Sequence, residues 1–91
     1  MIGKFCVFRT YSAGVHTGIL KEIYGTAATV EKARRIWSWT GAFTLNEVSQ
    51  NGVGEDSRIS DVVPEILLTE VIEVIPCSEA ARKNLQRTRN N

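Results

Sequence analysis

The sequence predicts an α+β fold: one small domain built on an antiparallel sheet of about four strands, with one short helix and a C-terminal helix. Three observations predict it. The stretches Lys4 to Tyr11 and Ile66 to Ile75 alternate with the two-residue period of strands and are rich in aromatic and β-branched side chains. Thr44 and Ser78 stand where helix N-caps belong, each ahead of a short run with helical spacing. The 91 residues are 43% hydrophobic and 23% charged, ordinary for one folded domain, which we place at residues 1–87 with a frayed tail at 88–91.

In chain order, Phe5, Val7 and Arg9 fall on one side of the first strand and Cys6, Phe8 and Thr10 on the other. The Ser12-Ala13-Gly14 step predicts a hairpin into a second strand, Val15 to Tyr24. Gly18 in its middle marks a bulge or a close approach of another backbone or a ligand, and the bulge is preferred. Tyr24-Gly25-Thr26 turns the chain into a third strand, Thr26 to Lys32.

The segment from Ala33 to Ala42 admits two readings. As a helix, it places Ala33, Ile36 and Trp37 on one face; as a strand, it places Arg35, Trp37 and Trp39 on one face and Arg34, Ile36 and Ser38 on the other. The extended reading is preferred, with Gly41 closing it.

Thr44 and Glu47 have the spacing of a capping box, in which the threonine accepts from the Glu47 amide and the carboxylate reaches back to the Thr44 amide. The helix ends at Asn51-Gly52, with Leu45 and Val48 facing the core. Gly52 to Pro64 reads as a loop of about a dozen residues. Arg58 and Ile59 within it are candidates for an interface contact, the alternative being a solvated connector. Ile66 to Ile75 carries apolar residues on both faces and is expected to be a central strand, its Glu70 and Glu73 needing either a cation, such as Arg34, Arg35 or Arg9, or an edge position. Pro76 ends it, and Ser78 starts a helix from Glu79 to about Gln86.

Several function classes lack their signatures. Eleven basic and ten acidic residues give a net charge of +1, too small a field for a general duplex-DNA binder. No run of about 18 apolar residues is present for a membrane span. Cys6 and Cys77 lie far apart without a second histidine or CxxC spacing, so reduced core thiols are expected and neither a metal nor a cofactor is implied. His16 lacks a nucleophile elbow, and Glu70 and Glu73, three apart in a strand, point to opposite faces, so neither a triad nor a carboxylate pair forms. No phosphate-binding loop is present, and the expectation is a non-enzyme.

The chemical signal that stands out is Arg34, Arg35, Trp37 and Trp39 within six consecutive positions. Guanidinium groups grip phosphate, and indole faces stack bases for about 1 to 3 kcal/mol each. Arg9, His16 and Arg58 are the candidates to complete such a pocket from a neighbouring strand or subunit. Against this stands a structural role, in which the tryptophans form a core or subunit interface and the arginines neutralise Glu70 or Glu73. Of the two, the strand alternation assigns Arg35 with a tryptophan to a binding surface and Arg34 to a glutamate.

The chain resembles a family of small uncharacterised proteins encoded mainly by bacteriophages and prophages. The resemblance is carried by Arg9-Thr10-Tyr11-Ser12-Ala13-Gly14-Val15-His16, Ala33-Arg34-Arg35-Ile36-Trp37-Ser38-Trp39 and Leu68-Thr69-Glu70-Val71-Ile72-Glu73-Val74-Ile75, with Thr44 to Gly52 also fitting, and it spans about Phe5 to Ala81. It implies no established activity. The phage setting it implies does raise, by analogy of context, an oligomeric sponge in the host cytoplasm that sequesters a cyclic nucleotide immune signal. The other expectation is an adaptor whose tryptophans dock a second copy or a host or phage protein.

Overall fold

Short reversals at residues 11–14, 25–26 and 69–70 organise the chain into a sheet that coils round on itself. The computed structural model describes residues 1–88. Strands β1 (Phe5–Thr10), β2 (Val15–Tyr24) and β3 (Ala27–Ser38) form an antiparallel meander. Helix α1 (Leu45–Asn51) and the two-residue strand β4 (Arg58–Ile59) follow. Then come β5 (Val63–Leu68), β6 (Val71–Pro76) and helix α2 (Glu79–Arg87).

The order across the sheet is β4-β3-β2-β1-β6, with β5 also on β3. Six strands therefore replace the four expected. The third strand runs to Ser38 rather than Lys32, which bears out the extended reading of Ala33 to Ser38.

The expected central strand from Ile66 to Ile75 is instead two edge strands. The chain bends at Thr69-Glu70, β5 pairs with β3, and β6 pairs with β1. The bend is pinned by Val71 N–H donating to Thr26 O and Tyr11 N–H donating to Glu70 O, both at 2.9 Å. Of the segment's apolar residues, Ile66, Leu68, Val71 and Val74 pack in one cluster, whereas Leu67 and Ile72 are exposed, so apolar residues on both faces do not here signify burial at the centre. Glu73 meets Arg9 at 3.4 Å, and Glu70 accepts from the Ser12 hydroxyl at 2.6 Å.

Coiling gives the sheet two apolar faces. Cys6, Phe8, Leu20, Ala28, Val30, Ala33, Leu68 and Val71 fill the concave side, with Ile66 and Val74 against them. Phe5, Val7, Ile36 and Ile59 pack beneath the helices with Val48, Val53 and Leu85. Val7 and Phe8, adjacent in β1, are both fully buried because each face has its own cover.

The helices begin as their caps dictate. Thr44 accepts from the Glu47 amide, but the Glu47 carboxylate takes the Phe43 amide, at 3.4 Å, rather than that of Thr44. Ser78 accepts from the Ala81 amide, and α2 extends one residue past expectation to Arg87. Thr88, expected in the frayed tail, donates its amide and hydroxyl to Asn84 O; the rest of that tail lies outside the described residues. The expected loop at 52–64 contains β4 and the first two residues of β5, and Ile59, offered as an interface residue, is fully buried in the helix-side core. Both cysteines are free, and burial raises the Cys6 thiol and pushes that of Cys77 up to about 12. Among the described residues no helix is long and apolar enough to cross a membrane.

Candidate functional site

Two irregularities in β3 decide where its arginines and tryptophans point. Between the Thr17–Arg34 and Ile19–Glu31 pairs, Gly18 alone opposes Lys32 and Ala33. This is the bulge expected at Gly18, and it is also a close backbone approach: a Cβ there would collide with Val30 Cγ1 and lie 2.7 Å from Glu31 O. The additional residue in β3 shifts the alternation, so that Ala28, Val30 and Ala33 all face the concave cluster. Lys32 takes up the change with a φ of 51°.

Beyond the bulge, Arg34 shares the helix side with Ile36, and Arg35 lies with Ala33 on the concave side. A second irregularity follows between Ile36 and Ser38. It delivers Trp39 to the helix-side core, where its indole N–H donates to Ala42 O at 3.2 Å. The expectation that Arg35, Trp37 and Trp39 share one face is thus corrected: Trp39 has left it.

Arg34 does not pair with a glutamate. Only 6% exposed, it donates through Nε to Ser60 O at 2.8 Å and through Nη1 to Leu85 O at 2.9 Å and Gln86 O at 3.4 Å. Those last two carbonyls belong to the final turn of α2, where a cation is favoured by the unpaired carbonyls and the helix dipole. Arg34 is therefore a clamp between strand and helix. Burial lowers its pKa, partly offset by Asp61, but it stays charged.

Arg35 is exposed, and its Nε donates to His16 Nε2 at 3.2 Å. Its amide donates to the Ser60 hydroxyl and its carbonyl accepts from the Ser60 amide, which ties the strand to the chain just after β4. His16 is 1% exposed and stands across from Phe8 in the β1–β2 register. Burial, with Arg35 adding, lowers its pKa to about 4, so the imidazole is neutral at physiological pH. His16, Arg35, Ser60, Val63 and Ile66, with Ala33 and part of Arg34, line an open cleft of about 180 Å³.

Trp37, the next residue after Arg35 on that side, is 55% exposed, and the Arg58 guanidinium sits over its ring at 5.3 Å. Arg9 stands apart in an exposed ion pair with Glu73. Of the seven sequence candidates, the structure brings together His16 with Arg35 and Trp37 with Arg58, and assigns Arg34 and Trp39 to the scaffold. Ser60, Val63 and Ile66 were missed. Val63 and Ile66 carried no signal beyond strand propensity, because their place beside Arg35 follows from β5 crossing to the β3 edge.

The assembled surface has two guanidinium groups, one exposed indole and a mainly apolar cleft whose histidine is buried. Chemically it can hold an anion and stack a planar ring. No curated protein and no solved structure is detectably similar to the chain. A family described as a domain of unknown function, DUF6948, matches residues 3–85, and the chain belongs to that family.

Proposed function

We propose that the protein is a non-enzymatic, oligomeric phage protein that binds a nucleotide-like anion and sequesters a cyclic nucleotide immune signal in the host cytoplasm. The observation that carries the reading is the exposed Trp37 indole stacked by Arg58, two positions along β3 from Arg35. The terminal nitrogens of Arg35 have no acceptor among the described residues. Phosphate would go to Arg35 and Arg58 and a base to Trp37.

Two features favour binding over catalysis and a multimer over a monomer. With its Nε2 engaged by Arg35 and its pKa near 4, His16 is a poor general base at neutral pH. The cleft of about 180 Å³ falls below the roughly 300 to 1,000 Å³ of pockets that enclose a whole small ligand, so further walls would come from a second copy.

Titration calorimetry with a panel of cyclic di- and trinucleotides tests this. Saturable binding by at least one is expected, with the ligand recovered intact by mass spectrometry; a folded protein that binds none sinks the proposal.

A second reading, an adaptor module, is favoured by the exposure of Trp37, Val62 and Val63 along the β3, β4 and β5 side of the sheet. There Trp37→Ala should dissociate the assembly or the partner, as read by sedimentation, with no nucleotide bound by any variant.

A further inference from the structure

His16 has an arrangement that stability alone would not select. An arginine Nε–H can only donate, so the 3.2 Å contact makes His16 Nε2 the acceptor, and the neutral ring must then carry its proton on Nδ1. That Nδ1 is buried with no hydrogen-bond partner among the described residues. An unpaired buried donor costs about 1 to 3 kcal/mol, and an apolar side chain of similar size would avoid it. The neighbourhood would accept one, since the facing residue across β1 is Phe8 and the cleft walls include Ala33, Val63 and Ile66 beside Arg34, Arg35 and Ser60.

What the histidine does provide is an acceptor behind Arg35. Arg9 is oriented by the carboxylate of Glu73 and Arg82 by that of Glu79, and each loses its free charge in doing so. A neutral imidazole orients Arg35 through Nε alone. It leaves the positive charge uncompensated and the N–H groups of both terminal nitrogens open, the edge that takes two oxygens of one phosphate.

We infer that His16 is a positioning residue, which holds the Arg35 guanidinium from behind so that its outer edge is preset for two-pronged capture of a phosphodiester. The inference rests on the anion-binding reading of this site. Holding a long side chain in its bound geometry lowers the entropy lost on binding, so the effect belongs to affinity and not to the fold.

The test compares His16→Leu, His16→Gln and Arg35→Ala with the unchanged protein, using cyclic di-AMP as the phosphodiester probe and urea denaturation alongside. His16→Leu is expected to be as stable as the parent or more so, yet to bind the probe roughly 3- to 10-fold more weakly. His16→Gln, whose amide oxygen can accept near the same place, should recover much of that loss, and Arg35→Ala should lose binding almost entirely. In the free protein, nitrogen-15 spectra should show a protonated Nδ1 on His16 and an Arg35 Nε–H whose exchange is slowed, the slowing being absent in His16→Leu. A His16→Leu variant that is clearly less stable but binds as the parent does makes the histidine structural and overturns the inference, even if Arg35→Ala abolishes binding. An Arg35 Nε–H exchanging as fast as that of a free arginine overturns it too. Failure of the parent to bind the probe while the Nε–H stays protected instead overturns the phosphodiester reading on which the inference rests.

Discussion

Arg34 and Arg35 are adjacent and chemically identical, yet strand alternation gives them opposite faces and opposite tasks, the bulge at Gly18 setting which face each takes. Arg34 spends its donors on carbonyls of α2 and of Ser60, whereas Arg35 keeps its outer nitrogens open. Charged hydrogen bonds in buried surroundings contribute about 1.5 to 3 kcal/mol each, and cutting one leaves carbonyls unpaired. Arg34→Met should therefore lower unfolding free energy by about 2 to 3 kcal/mol in urea, while Arg35→Ala, which cuts one hydrogen bond to His16 at the cleft, should cost less, about 1 kcal/mol. The pH dependence of stability should isolate His16. Its folded pKa of about 4 lies below the ordinary 6.5, so the unfolded chain takes up the proton first. The stabilisation is complete above about pH 6.5 and is lost as pH falls from there toward 4. Thermal melts should show that loss, and subtracting the same series for His16→Leu should remove the part that begins above the carboxylate range.

Among the elements, β3 is the one whose irregularities matter. Gly18 is needed because the Glu31 carbonyl and Val30 occupy the space a Cβ would take. Gly18→Ala should cost about 1 to 3 kcal/mol, as overpacking does, and should disturb Arg35 through the shared register, visible as shifted amide resonances in β2 and β3. The sequence made much of this element level legible. β1, β2, the hairpin between them, both N-caps and the Gly18 bulge follow from alternation, turn residues and capping side chains. What local patterns could not carry was the second irregularity at Ile36 to Ser38, which needs β4 as its partner and sends Trp39 inward. Nor could they show β4 itself, a strand of two residues with no period to read.

At the scale of the whole molecule, the coiled sheet explains why a 91-residue chain sustains two apolar faces. The bend at Thr69-Glu70 closes the concave side by carrying β5 and β6 to opposite edges. That closure was illegible because Ile66 to Ile75 has the composition of one buried strand, and only long-range pairing distinguishes a central strand from one bent across two edges. For the same reason the cleft beside Arg35 could not be foreseen, although Arg35, His16, Trp37 and Arg58 could be nominated by chemistry. Their separation from Trp39 and Arg9, and the engagement of the Arg34 guanidinium by Ser60 and α2, are the parts the fold supplied.

Calorimetric titration of the unchanged protein, Arg35→Ala and Trp37→Ala with cyclic di- and trinucleotides tests most directly whether this surface binds a nucleotide-like anion. The expected result is saturable binding by the unchanged protein, weakened by roughly 5- to 100-fold in Trp37→Ala, as loss of a stacked base implies, and at least as much in Arg35→Ala. Absence of binding by the folded protein, or undiminished binding by both variants, would contradict it.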